Sequence, residues 1–154
     1  MNVINRMFVY AICISAMLIQ ISCSKSGQSI SKTEVELKKL SSTWKVSSVT
    51  LDDVVESGYD NFQLTFSGAS SASLFAYGVT GRPGISPWPA GGTWKFASTD
   101  AQVVRNPSTA DELQMSYTVT NTQLVLKFVF AGSGYTAGRV SSAQGNWVFT
   151  FTKM

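Results

Sequence analysis

The stretch from Asn146 to Lys153 reads N-W-V-F-T-F-T-K. Trp147, Phe149 and Phe151 fall at every second position, so in an extended strand their side chains point to one face. A long aromatic strand left at the edge of a sheet is an aggregation hazard. We therefore expect this final strand to pair with another strand of the same chain, in a sheet that closes on itself.

The expected partner is the stretch from Trp44 to Leu51, W-K-V-S-S-V-T-L, which also has a Trp near its start and alternating apolar residues. Further segments with a period of two lie between them, separated by turns rich in Gly, Pro and Asn. They cover residues 62–66, 73–79, 93–97, 102–105, 113–119 and 122–131. No long helical pattern interrupts them, which argues against a parallel βαβ sheet. The sequence predicts an all-β fold of about eight strands, an antiparallel meander that closes on itself or folds into a sandwich.

One short helix is predicted ahead of the first strand, from Thr33 to Leu40. Thr33 and Glu36 have the spacing of a capping box. Lys38 and Lys39 lie at the end where the helix dipole favours positive charge. Because so short a helix is marginal alone, we expect it to dock on the barrel.

The N-terminal residues have the pattern of a secretory signal. Arg6 precedes an uncharged run, residues 7–19, which is shorter than the roughly 20 apolar residues that cross a bilayer. We predict a signal peptide over residues 1–22. Cys23 then has two interpretations, and we favour an acylated first residue over an incidental Cys because it lies where a small-residue cleavage site is due.

The segment Q-I-S-C-S-K at residues 20–25 resembles the lipobox of bacterial lipoproteins, with Gln20 in the place where Leu is usual. This resemblance implies that Cys23 is acylated and anchors the chain to the membrane. Ser24 after the Cys implies the outer membrane, and the lack of a following acidic run implies its periplasm-facing side. Residues 23–32 would form the lipidated Cys and a flexible tether, and residues 33–154 a single domain.

The segment L-S-S-T-W-K-V at residues 40–46, which follows the predicted helix, resembles the opening of lipocalin-like domains. Residues 87–96, 137–142 and 145–153 are similar to segments of the small lipocalin-like lipoproteins common in Bacteroidota. This resemblance implies an antiparallel up-and-down, lipocalin-like barrel of about eight strands, in which Trp44 closes the base. It implies no activity.

Composition excludes several classes of function. The chain has no histidine, which removes Ser-His-Asp and Cys-His catalysis and the commonest zinc ligand. Its other cysteine, Cys13, lies in the signal segment, so we expect no disulfide. A formal net charge of +3, scattered along the chain, does not indicate a nucleic-acid partner. We predict a non-enzymatic protein with no catalytic residues, metal or cofactor.

Two polar features have a functional and a structural interpretation. Residues 52–60 hold four carboxylates, which suggests a calcium site or a glycosidase carboxylate pair, but the spacing is not that of an EF-hand. We interpret them as a solvated loop between the first two long strands. The glycines in residues 78–84 and 132–138 lack the spacing of a phosphate-binding loop, and we interpret them as turns.

Candidate ligand-binding residues lie in or beside these two glycine-rich loops. They are Tyr77, Arg82, Trp88, Tyr135 and Arg139. If both loops rim one mouth, they present an aromatic wall with two guanidinium groups, suited to an amphiphile with an anionic head or to a sugar stacked on Trp88. In the competing interpretation Trp88 tucks under the nearby prolines and the arginines are solvated.

The sequence thus predicts a membrane-anchored protein of the cell envelope that binds a small apolar or amphiphilic molecule. The alternative is a structural or interaction module with a filled barrel and no ligand, and a third option is an accessory to glycan handling. The interior decides between the first two, because side chains from the last two strands alone are bulky enough to fill a small barrel.

Overall fold

The structure, a computed structural model, describes residues 31–69, 71–99, 101–135 and 143–154. The predictions for the signal peptide, for Cys23, for most of the tether and for Arg139 lie outside the described residues. Within them, no helix is long and apolar enough to cross a membrane.

The described residues form one helix and nine strands. These are α1 (Lys32–Leu40), β1 (Thr43–Leu51), β2 (Val54–Val55), β3 (Gln63–Ser67), β4 (Phe75–Thr80), β5 (Gly91–Phe96), β6 (Gln102–Arg105), β7 (Leu113–Val119), β8 (Gln123–Phe130) and β9 (Gly145–Lys153). The two-residue β2 folds back on the end of β1. The other eight strands run in the antiparallel order β1-β3-β4-β5-β6-β7-β8-β9, and β9 pairs again with β1. The predicted all-β, lipocalin-like barrel with one short helix is confirmed.

The barrel closes where the final strand was expected to find its partner. In the pairing of β1 with β9, Trp44 lies opposite Lys153 and Leu51 lies opposite Trp147. Phe149 and Phe151 are fully buried, and Trp147 is nearly so. The aromatic face of β9 is therefore directed into the interior, and its backbone has a partner strand on each side.

A bulge between Val46 and Ser48 interrupts the pairing of β1 with β9. At this point the apolar positions of β1 change from even to odd numbers, and the extra residue lets both halves of the strand face the core. Trp44 and Val49 are accordingly both buried. The Ser47 hydroxyl at the bulge donates a hydrogen bond to the Thr150 carbonyl at 3.0 Å.

Helix α1 begins at Lys32, and its N-cap is Ser31, whose hydroxyl accepts a hydrogen bond from the Glu34 backbone N–H at 3.1 Å. The predicted capping box from Thr33 to Glu36 is wrong. Ser31 has extended backbone dihedrals, which direct its side chain onto the first turn, whereas Thr33 already lies inside the helix. Glu36 instead forms an ion pair with Lys39 at 3.0 Å.

The helix docks at the end of the barrel where β1 begins and β9 ends, which we call the base. Leu37 and Leu40 are its buried residues. The Trp44 indole, itself fully buried, donates a hydrogen bond to the Leu40 carbonyl at 2.9 Å. Lys153 lies on β9, opposite Trp44 of β1. Its ammonium group is 5.8 Å from the centre of the Trp44 ring, within the range of a cation–π contact.

The acidic residues after β1 are mostly exposed, but Asp52 has a structural role. Its carboxylate Oδ1 accepts hydrogen bonds from the backbone N–H of Asn146 at 2.9 Å and from the side-chain amide of Asn146 at 2.7 Å. Gly145 beside it has a φ of 140°, and a Cβ there would clash with Leu51 and Asp52. Asp52 therefore ties the end of β1 to the start of β9.

The hydrogen bond from the Asn146 backbone N–H has the larger effect on the pKa of Asp52, and the one from the Asn146 side chain has the smaller. Together they hold this pKa below its ordinary value near 3.8. A carboxyl with a lowered pKa in the folded state stabilises the fold above its unfolded-state pKa and loses this effect as the pH falls through the folded-state pKa.

We expect Asp52→Ala to lower the melting temperature at neutral pH, and the difference in melting temperature from the original protein to shrink as the pH falls below about 4. Thermal unfolding followed by circular dichroism over a pH series measures this. Asp60→Ala, which removes another exposed carboxylate, should show no such trend, and a pH-independent gap for Asp52→Ala would contradict the prediction.

Candidate functional site

The two glycine-rich loops meet at the end of the barrel opposite the helix, which we call the mouth. The loop after β4 covers residues 81–90, and the described start of the loop after β8 covers residues 131–135. They are joined by the backbone N–H of Tyr135, which donates to the Ser86 carbonyl at 2.8 Å. In their described parts, the loops that were expected to rim one mouth thus lie together.

Trp88 leaves the loop and enters the middle of the barrel, where none of its surface is exposed. Its ring centre lies within 6.3 Å of four other aromatic ring centres, which belong to Phe62, Tyr77, Phe128 and Phe149. The structure therefore places Trp88 as a central packing residue of the barrel. Its hydrophobic area is used inside the barrel instead of on the rim.

The loop that carries Trp88 is held in this position by polar contacts. Gly81 opens the loop with a φ of 66°, and a Cβ at this residue would clash with the backbone of Asn61. The half-buried Arg82 donates from Nη1 to the Trp88 carbonyl at 2.8 Å, and the Trp88 N–H donates to the Ser86 hydroxyl at 3.2 Å. The guanidinium of Arg82 is thus used to fix the loop. A ligand-binding role for Arg82 stays a prediction.

Arg105 is the residue of the mouth that sequence reasoning missed. It ends β6 and is only 1% exposed. The centre of its guanidinium lies 5.2 Å from the Trp88 ring centre and 5.7 Å from the Tyr135 ring centre, so the cation is placed between two aromatic faces. A signal was present in the sequence: counting by two from the buried Val103 puts Arg105 on the inward face.

The charge of Arg105 has few partners among the described residues. Its Nη1 donates to the Pro87 carbonyl at 2.8 Å, and its Nη2 makes a long hydrogen bond of 3.5 Å to the Tyr135 hydroxyl. The Nε–H has no acceptor there. No described carboxylate forms an ion pair with Arg105. The ion pair observed between described residues is that of Lys39 with Glu36, in helix α1. Burial lowers the pKa of Arg105, and the neighbouring Tyr77, Tyr135 and Asp111 act in the opposite direction.

The space inside the barrel is occupied by side chains. Four grooves outlined by the described residues open to solvent, and neither Trp88 nor Phe149 contributes to their walls. Two lie at the base beside α1, with volumes of about 330 and 320 Å³. Two lie at the mouth, with volumes of about 460 and 430 Å³. The described residues also contain no group of three side chains arranged to hold a metal ion.

Tyr59 and Tyr77 are buried near the mouth, and the pH at which they ionise reports how well solvent is excluded there. Burial raises the pKa of Tyr59 and of Tyr77 to about 12. Their hydroxyls make long hydrogen bonds of 3.4 Å, from Tyr59 to the Ile85 carbonyl and from Tyr77 to Asn106 Oδ1. Both contacts connect a strand or its flanking turn to the mouth.

We expect Tyr59 and Tyr77 to remain neutral in the folded protein at about pH 11, where exposed tyrosines are mostly ionised. Because ionisation is disfavoured only in the folded state, stability should fall as the pH rises from about 10 towards 12. Spectrophotometric titration of tyrosinate absorbance, with and without denaturant, measures both effects. Tyr59→Phe and Tyr77→Phe should each remove one late-titrating group, and a single transition near pH 10 in the folded protein would contradict the assignment.

Comparisons with protein-family models, with curated proteins and with solved structures found no match to this chain. The barrel itself is established by its strand pairing. The relation of residues 40–46, 87–96, 137–142 and 145–153 to lipocalin-like lipoproteins therefore stays a resemblance. What the protein does has to be inferred from the side chains that fill its interior and from the geometry of its mouth.

Proposed function

We propose that the protein is a membrane-anchored, non-enzymatic module of the cell envelope, whose barrel is filled by its own side chains and which acts through its outer surface. The observation that carries this proposal is the position of Trp88. An eight-stranded barrel has an interior just wide enough for side chains or for one small ligand. Here the wholly buried Trp88 ring, in contact range of four other aromatic rings, takes the central space.

The absence of an enzymatic role is supported by the residues available. The chain has no histidine, and both of its cysteines lie before residue 24. Among the described residues, the buried polar groups at the mouth are Tyr59, Tyr77, Ser86 and Arg105. Burial raises the pKa of the two tyrosines, which makes them poor bases at neutral pH. These groups are suited to packing and to recognition.

The proposed anchor is Cys23, acylated and held in the outer membrane on its periplasm-facing side. Ser31, the first described residue, caps the helix at the base of the barrel. A tether from Cys23 therefore joins the domain at its base, and the mouth lies at the far end. In this arrangement the mouth and its loops are the surface presented to partners in the envelope.

A second candidate function is the carriage of a small apolar or amphiphilic molecule inside the barrel. One observation favours it: Trp88 enters from a loop, not from a strand, and its indole N–H has no acceptor among the described residues. Withdrawal of this loop would leave a hollow lined by Phe62, Phe128 and Phe149. The two candidates differ in whether the purified protein takes up such a molecule.

We expect the original protein to show no stoichiometric fluorescence enhancement with N-phenyl-1-naphthylamine. Trp88→Ala should lose about 3–5 kcal/mol of stability and should now bind the dye, because a large central cavity is left behind. Trp94→Ala is the matched control. It removes another fully buried Trp, on β5 between Phe66 and Phe75 towards the base, and should destabilise without stoichiometric dye binding. Dye binding by the original protein would favour the carrier.

The anchor is tested separately in cells grown with radiolabelled palmitate. We expect the label to enter the protein and Cys23→Ser to abolish both the label and retention in the membrane fraction. Cys13→Ser, which changes the other cysteine, is the matched control and should leave both unchanged. Equal labelling of the Cys23→Ser protein would overturn the proposed anchor.

A further inference from the structure

An open groove of about 460 Å³ lies at the mouth between the end of β8 and the turn before β7. We call it the mouth groove. Its walls include Arg105, the aromatic rings of Phe130 and Tyr135, and the rim residues Asp111 and Glu112. It is separate from the space that Trp88 fills, because Trp88 is not part of its wall.

The wall of the mouth groove contains a buried donor without an acceptor. The guanidinium has five N–H donors in a planar fork. The hydrogen bonds of Arg105 go to one carbonyl and one distant hydroxyl, and its Nε–H has no partner among the described residues. With the side chain 1% exposed, such a donor costs free energy unless an acceptor is supplied.

The charge of Arg105 is also incompletely compensated. A buried cation is normally paired with an anion, and removal of the partner from such a pair is strongly destabilising. The faces of Trp88 and Tyr135 offset part of this cost through cation–π contacts. A carboxylate in the mouth groove would supply the missing negative charge and could accept charge-assisted hydrogen bonds from the planar fork.

The other charged groups of the mouth groove limit what kind of anion fits. Asp111 and Glu112 lie on the rim, and Glu112 Oε2 accepts a hydrogen bond from the Ser108 N–H at 2.6 Å. Two carboxylates beside the groove disfavour a doubly charged group such as a phosphate monoester. Phe130, Tyr135 and the 65% exposed Val129 provide apolar surface for a short chain.

We propose that the mouth groove is a binding site for the carboxylate of a small monocarboxylic amphiphile. Arg105 is the anchor for the carboxylate, and Phe130 and Tyr135 contact the apolar chain. Asp111 is the internal rival for Arg105, near enough to influence its charge without forming an ion pair with it. The site stands whether or not the barrel interior takes up a ligand.

The test is a titration of the full-length protein with hexanoate, followed by the Arg105 Nε–H signal in nitrogen-15 NMR and by calorimetry. We expect saturable binding with a shift of that signal. Binding of 1-hexanol, which has the chain without the charge, and of acetate, which has the charge without the chain, should be at least tenfold weaker. Hexyl phosphate should also bind at least tenfold more weakly than hexanoate. Failure of hexanoate to bind, or equal binding of 1-hexanol, would overturn the proposal.

Variants assign the binding to Arg105. Arg105→Lys keeps the charge but loses the planar fork, so hexanoate affinity should fall at least tenfold. Lys95→Gln is the control. It removes an exposed cation on the outer face of β5 and should leave hexanoate affinity unchanged. Asp111→Asn removes the rival carboxylate and should strengthen binding severalfold. Unchanged affinity in a folded Arg105→Lys protein, or weaker binding in Asp111→Asn, would contradict the proposed site.

Discussion

The pairing of the first long strand with the last is the constraint on which the rest of the structure depends. It removes the two edges that an eight-stranded antiparallel sheet would otherwise expose. It also fixes which face of every strand is inside, because a shift of one residue in the β1–β9 register would move Trp147, Phe149 and Phe151 to the solvent side. The bulge after Val46 and the hydrogen bonds of Asp52 to Asn146 hold this register at two separate points.

Closure creates a narrow interior, and the chain fills it from two directions. Strand residues supply most of the core, and Trp88 supplies the centre from a loop. Gly81 fixes the turn at the start of the loop, and Arg82 ties this start to the carbonyl of Trp88 near the loop's end. The loop is joined to the second loop by the hydrogen bond from Tyr135 to Ser86. The interior packing and the shape of the mouth are thus one structural unit. The guanidinium of Arg105 lies at the boundary between them, with Trp88 on the inner side and Tyr135 towards the mouth groove.

Much of this fold is readable from the sequence. Alternation of apolar residues placed the eight long strands correctly to within about two residues, because each has one face inside and one outside. The bulge in β1 and the cap at Ser31 were missed, since each depends on the local backbone path and not on side-chain period alone. The site was less predictable. The sequence indicated the two loops and Trp88 as a candidate site, but whether Trp88 lines a mouth or fills a core depends on the depth of the interior. Arg105 was passed over because an arginine is seldom wholly buried, although its place in the alternation of β6 was visible.

The closure also has a kinetic consequence. Trp44 lies opposite Lys153, and the backbone N–H of the last residue, Met154, donates to the Thr43 carbonyl at 3.0 Å. Closure of the barrel needs residues 145–153, and contacts between residues so distant in sequence slow folding. In a chain made from its N-terminus, β1 therefore has no β9 to pair with until those residues have been added. During this interval the open edge of β1 is available for association with other chains, and a chaperone that covers it would protect the step at which the chain is most vulnerable.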